Sequence, residues 1–281
     1  MRFTKMHGIG NDFVFVDCTR DQPRDPAALA QALCRPHFGV GADGLALLMP
    51  SRTADFAMRI YNADGSQAQM CGNAARCAGK YLYERGLTRK TRIELETPAG
   101  SRTLWLTLDG DTVTRVRVDM GAPALRPADI GVDVPGERAV DAPLRAAGQD
   151  WRITCVSMGN PHAVVFVPDD PAALDLAAIG PAFEHHALFP ERTNAEFVRV
   201  LAPDTLLVRV WERGCGETLA CGTGACAALV AAVLGGLASR QATVRLPGGE
   251  LAIAWDADTD HVLMTGPAVT VFEGDWPVYA Q

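Results

Sequence analysis

The chain repeats itself. Displaced by about 150 residues, Phe56-Ala57-Met58-Arg59-Ile60-Tyr61-Asn62 lies over Leu206-Leu207-Val208-Arg209-Val210-Trp211-Glu212, Cys71-Gly72 lies over Cys221-Gly222, and Ala75 over Ala225. Gly10-Asn11 falls over Gly159-Asn160, GADG at 41–44 over the region of RTNA at 192–195, and IELETPAG at 93–100 over TVRLPGG at 243–249. All the matches keep one order and nearly one shift. Such a period is far too long for a solenoid repeat, and 281 residues suit two domains of ordinary size. Two like domains related by a pseudo-two-fold axis are therefore expected.

Within each half the pattern is the same. Apolar alternation in DFVFVD, FAMRIYN and RIELET reads as strand, as do AVVFV, EFVRV, LLVRVW and ATVRL in the second half. One dominant helix per half begins near Cys71 and near Cys221, and the first stops near Gly86. A shorter helix is expected near 26–35. The predicted class is α/β of the α+β type: two pseudo-symmetric halves, each a curved, mostly antiparallel sheet wrapped around a central helix. The stretch 119–150 is rich in loops and proline and reads as the connector. Arg59 and Arg209, matched but mid-strand, are expected to face outward.

From Thr218 to Ser239 no residue is charged, yet the strongly apolar part runs only from Ala225 to Ala238. That is short of the roughly 20 residues a bilayer span requires, so a buried helix is predicted rather than a membrane segment. The net charge of −7 argues against nucleic acid or an anionic membrane as partner. Eight cysteines occur without a CxxC pair, which signals neither a zinc knuckle nor a thioredoxin-like motif, and their wide spacing argues against a disulfide scaffold. The N-terminal stretch lacks the pattern of a signal peptide. Reduced thiols in a cytoplasm are expected.

The two Cys-Gly helix starts carry the chemistry. The first turn of a helix has N–H groups without intrahelical partners and the positive end of the dipole. A thiolate there is favoured, so the thiol pKa is expected to fall, and a carboxylate can be held. Gly72 and Gly222 let a ligand approach the backbone; Asn73 and Thr223 are candidate further donors. If both helix starts grip one carboxylate, the adjacent carbon has sulfur on each face. One sulfur removes the Cα proton and the other returns one from the opposite side, which inverts the centre. Only Lys5, Lys80 and Lys90 are lysines, and none lies beside these motifs except Lys80, on the helix body, so a reaction without a pyridoxal Schiff base, other cofactor or metal is expected.

The motifs KMHGIGNDFVFVD (5–17), NADGSQAQMCGNAARC (62–77), SMGNPHAVVFV (157–167), RTNAEF (192–197) and ERGCGETLACGTGACA (212–227) resemble the diaminopimelate epimerase family over nearly the whole chain. The resemblance implies an active site in the cleft between two halves. It implies a first half over 1–118, with a final strand in 267–281 crossing back to it, and a second half over 119–266. It implies interconversion of LL- and meso-diaminopimelate, feeding lysine and peptidoglycan synthesis, in a homodimer. Cys71 and Cys221 correspond to the acid/base pair, and His162 and Glu212 to residues that tune them. Asn11, Asn62, Gly72, Asn73, Asn160, Asn194, Glu212, Arg213, Gly222 and Thr223 correspond to the substrate shell, with Arg213 on the far carboxylate. Two positions depart from the family pattern: Gly44, where many relatives have Gln, and Cys215, often Ala or Val. Rival readings are a proline, hydroxyproline or histidine racemase or epimerase on the same fold, a phenazine-pathway type isomerase, or a thiol redox-sensing binding protein.

Overall fold

The computed structural model describes residues 1–277; residues 278–281 of the expected crossing segment lie outside the described residues. The described residues divide into two compact units, 1–118 with 266–277, and 119–265.

In the first unit the elements are β1 (Arg2–Gly8), β2 (Asn11–Asp17), α1 (Pro26–Cys34), β3 (Gly44–Met49), β4 (Phe56–Asn62), β5 (Gln67–Ala68), α2 (Gly72–Glu84), β6 (Arg92–Thr97), β7 (Gly100–Asp109) and β8 (Thr112–Asp119). β1 and β2 form an antiparallel hairpin, β2 runs parallel to β3, and β3 is antiparallel to β4. β4 pairs antiparallel with the short β5 and parallel with β6, and β6, β7 and β8 form an antiparallel meander. The hairpin turn uses Ile9 and Gly10, both at positive φ (52° and 92°). That matches the twist a two-residue hairpin demands, and a β-branched residue adopts it only under strain. Ile9 is buried, so packing holds the strained turn that delivers Asn11.

The second unit contains β9 (Ala142–Ala146), β10 (Gln149–Ser157), β11 (Pro161–Phe166), β12 (Asn194–Ala202), β13 (Thr205–Glu212), β14 (Gly216–Thr218), β15 (Gln241–Leu246), β16 (Gly249–Trp255) and β17 (Val262–Gly266). Its helices are the one-turn α3 (Pro127–Ile130), α4 (Leu176–Glu184) and α5 (Gly222–Leu234). The pairing repeats that of the first unit strand for strand: β10–β11 antiparallel, β11–β12 parallel, β12–β13 antiparallel, β13 with β14 antiparallel and with β15 parallel, then β15–β16–β17 antiparallel. β9 is antiparallel to β10. The last strand, β18 (Val269–Asp275), occupies the matching place in the first unit, antiparallel to β1.

The central helices explain the apolar runs. α5 is buried along nearly all its length, and α2 is buried from Gly72 to Lys80 and at Leu82 and Tyr83. A methyl group at Gly79 would stand 3.0–3.3 Å from Leu106, Leu104 and Val116, so α2 lies close against β7 and β8. Residues 119–150 are not a linker. Ile130, Val132, Ala139, Leu144 and Ala146 belong to a core cluster with Trp151, Phe183 and Phe197 packed in it. Arg59 and Arg209 are half-buried and paired, Arg59 with Glu96 (2.7 Å) and Arg209 with both carboxylate oxygens of Glu217 (2.8 and 2.9 Å). No helix among the described residues is long and apolar enough to cross a membrane.

Candidate active site

Cys71 is the N-cap of α2, with extended backbone (φ −139°, ψ 118°), and Cys221 is the N-cap of α5 in nearly the same conformation (φ −115°, ψ 111°). Asn73 and Gly72, like Thr223 and Gly222, precede the first intrahelical bonds, Ala75 N–H to Cys71 O and Ala225 N–H to Cys221 O. Both helix starts therefore offer main-chain donors to an anion.

In the first unit the half-buried Cys71 donates its S–H to Asn11 Oδ1 (3.6 Å). Asn73 Nδ2 donates to the same oxygen (3.1 Å), and Asn11 Nδ2 donates to Asp43 Oδ2 (2.7 Å), which also takes the Asp12 N–H (3.0 Å). Asn73 Oδ1 accepts from Arg76 Nη1 (2.9 Å), and Arg76 Nε donates to Pro267 O (3.0 Å). The Asn73 side chain is thus turned into the protein, 2 % exposed, and the fully buried Arg76 lies behind it. The Asn73 amide, expected as a ligand donor, is held in that network, and its main-chain N–H stands at the helix start. Asn62, at the end of β4, is exposed and bonds Ser66 Oγ (3.0 Å). It stands in register with Gly44, where a Cβ would fall 2.8 Å from Tyr61 O, so this backbone has no room for a side chain at position 44.

In the second unit Cys221 Sγ accepts from Gly224 N–H (3.3 Å), in the manner of a hydroxyl N-cap, and lies 3.4 Å from Thr223 Oγ1. Burial, then Glu212, then Glu196 push this thiol well above its ordinary value, against the smaller help of the Thr223 and Gly224 bonds. The expected fall at a helix start is overturned here. A dipole contributes roughly 0.3–1 kcal/mol at an exposed terminus, and burial beside two carboxyls outweighs it. Glu212, which accepts from Thr218 Oγ1, is itself raised by burial. His162 is fully buried; Nδ1 meets Glu196 Oε1 at 2.6 Å and Nε2 meets Asn160 Oδ1 at 3.1 Å. Asn194 is 3 % exposed, donating to Pro161 O (2.9 Å) and accepting from Arg213 N–H (2.8 Å). Its side chain ties two main-chain segments together. Arg213 is exposed, with Nη1 donating to Glu191 O (2.9 Å).

Four residues absent from the sequence-based set hold these groups. Asp43 orients Asn11, and Arg76 backs Asn73. Glu184, 5 % exposed, takes Trp211 Nε1–H (2.8 Å) and Gly214 N–H (2.9 Å), so it clamps the segment carrying Glu212 and Arg213. Glu196 holds His162. The available signals were weak: a charge three residues after Asn73, thus on its helix face, and a Glu inside the buried strand AEFV. Cys18 and Cys34 are raised to about 11 and Cys77 and Cys155 to about 12, all by burial first; they are core residues. Cys215 is exposed in the loop after Glu212.

The fold is that of small amino-acid racemases and phenazine-type proteins. A probable proline racemase from Agrobacterium radiobacter K84 superposes with a TM-score of 0.75 at 17% identity, covering 99% of this chain and 93% of that one. A hydroxyproline epimerase from Agrobacterium vitis gives 0.72 at 17% identity over 98% and 90%, and a phenazine biosynthesis protein of Bacillus anthracis gives 0.71 at 16% over 99% of each. The sequence narrows this. The diaminopimelate epimerase family model matches residues 3–126 and 154–271. The diaminopimelate epimerase of Acetivibrio thermocellus is 54% identical, with 98% of each chain covered, and that of Methanococcus maripaludis strain C6 is 49% identical over 98% and 99%. The chain belongs to the diaminopimelate epimerase family.

Proposed function

We propose that this isomerase interconverts LL-2,6-diaminopimelate and meso-diaminopimelate by moving a proton at one α-carbon, with Cys71 and Cys221 as its acid/base pair. The observation that carries the pairing is the duplicated N-cap: the same residue type holds the same backbone station in both units, beside main-chain donors suited to a carboxylate.

A thiolate on one face takes the Cα proton; the electron pair left on carbon is delocalised into the adjacent carboxylate, and the thiol on the other face returns a proton. The C–H bond broken and the C–H bond formed lie on opposite faces, so the centre inverts and the sulfurs exchange protonation states. The main-chain N–H groups of Gly72, Asn73, Gly222 and Thr223 stabilise the charge that builds on the carboxylate. Both sulfurs are supplied by the chain, so the proposed reaction calls on no cofactor.

Arg213 suits the distal carboxylate and Glu212 an ammonium group. Asn11, Asn62, Asn160 and Asn194 offer amides to the remaining polar groups, and Asn194 also fixes the Arg213 main chain. His162 acts from within the second unit. The protein is proposed to work as a homodimer in the cytoplasm. Purified under reducing conditions and given LL-diaminopimelate, it is expected to form the meso isomer and to leave L-proline, hydroxyproline and L-histidine unchanged. Turnover of one of those instead, with diaminopimelate untouched, contradicts the reading.

A further inference from the structure

The internal repeat supplies its own control experiment. In register, β2 residue Phe13 faces Gly44 of β3, and β11 residue His162 faces Asn194 of β12. Two residues further along, Ala46 of β3 occupies the station that Glu196 occupies in β12. One unit thus fills these two buried positions with Phe13 and Ala46, and the other with a His–Glu pair, all four at most 3 % exposed. Packing alone does not call for the polar pair.

The pair also burdens the second unit. Glu196 Oε2 is buried without a hydrogen-bond partner among the described residues, and a buried carboxyl group with an unsatisfied oxygen is costly. The neighbouring helix has adapted to it. A Cβ at Gly224 would stand 2.7 Å from Glu196 Oε1, whereas the matching residue of α2 is Ala74.

The proton count follows from the acceptors. Asn160 Oδ1 can only accept, so His162 Nε2 carries a proton toward it. The 2.6 Å contact between Nδ1 and Oε1 holds one more. With the oxygen of Asn160 engaged, its Nδ2 donor is directed away from His162, from a half-exposed residue. The matched residue Asn11 is held the other way round, with Nδ2 on Asp43 and Oδ1 toward Cys71.

We infer that Glu196 is a positioning residue of the reaction: through His162 it fixes which end of the Asn160 amide faces the substrate, presenting the N–H donor to an anionic or carbonyl oxygen. The inference rests on the proposed epimerase reading for its kinetic test, but its spectroscopic test requires no substrate.

Kinetically, Glu196→Leu is expected to raise KM for diaminopimelate about tenfold, as for the loss of one hydrogen bond to a charged group; kcat responds as well, because Glu196 is one of the two carboxyls that raise the Cys221 thiol. Glu196→Gln, which keeps a partner on Nδ1, is expected to restore KM to within about threefold. In an Asn160→Ala background Glu196→Leu should add nothing, because the pathway is already cut. Additive effects, or a folded Glu196→Leu protein with unaltered KM, overturn the proposal. Nitrogen-15 NMR of histidine-labelled protein, with the His162 signals assigned through His162→Gln, reads the imidazole directly. A proton on Nε2 with a strongly downfield Nδ1 proton lost in Glu196→Gln is expected; an Nε2 without a proton means the amide is reversed and overturns the proposal, whatever the protein's activity.

Discussion

Cys71 and Cys221 cap the same helix of a duplicated fold, and their surroundings have opposite character. Around Cys71 stand amides and, deeper, the buried guanidinium of Arg76. Around Cys221 stand Glu212 and the His162–Glu196 pair, and the thiol is pushed up by burial and by both carboxyls. Duplication supplied two equal stations; divergence gave them unequal electrostatics. A two-base reaction needs that inequality, because one sulfur must start as the base while the other starts as the acid.

The largest test of the comparison removes either sulfur. Cys71→Ala and Cys221→Ala are each expected to lower turnover by roughly 10²–10⁴-fold, measured as meso product from the LL isomer. A Cys221→Ser protein at nearly full rate contradicts an acid/base role for that sulfur.

The inequality itself is read by alkylation. At neutral pH a small iodoacetamide-type reagent, followed by peptide mass spectrometry, should label Cys71 at least about tenfold faster than Cys221, with Cys77 slower still. Equal labelling of Cys71 and Cys221 removes the asymmetry. The sign for stability follows. The native Cys221 pKa is raised, so its stabilising share is whole below the unfolded value of about 8.5 and is lost as pH climbs through the native one.

Smaller effects sharpen the contrast at its edges. Arg213→Ala is expected to raise KM for diaminopimelate about tenfold or more while leaving kcat less affected; an unchanged KM removes the distal carboxylate from its list of contacts. Ala74→Gly should lower stability by about 1 kcal/mol, the ordinary helix penalty. Gly224→Ala should fail to give the ordinary gain and instead destabilise by roughly 1–3 kcal/mol through overpacking against Glu196. Denaturant melts of the pair measure both, and a stabilised Gly224→Ala protein means the helix start is looser than described.

Much of this was legible beforehand. The strands followed from alternation, and the two central helices followed from apolar runs opened by Cys-Gly, because burial on all sides leaves few polar residues. The stretch 119–150 was not legible. Its short elements and prolines carry no periodicity, yet Val132, Ala139 and Leu144 pack in the core. Glu196 was hidden for a related reason: a charged residue at the first place of EFVRV looks like a strand end in solvent, whereas β12 is buried on both faces from Asn194 to Val198. The Asn73 network was not legible because helix phase decides where an amide points, and its partner Arg76 lies one turn on. The thiol rule failed at Cys221 because a local dipole was weighed without the carboxyls that only tertiary structure brings to it.

The central claim is that two different sulfurs handle the outgoing and the incoming proton. Its most direct test is the LL isomer turned over in heavy water and sampled early. The account predicts solvent deuterium at the inverted carbon of the meso product and almost none in the recovered LL isomer. Deuterium entering recovered substrate as fast as it enters product would mean that one group serves both faces, and would contradict the claim.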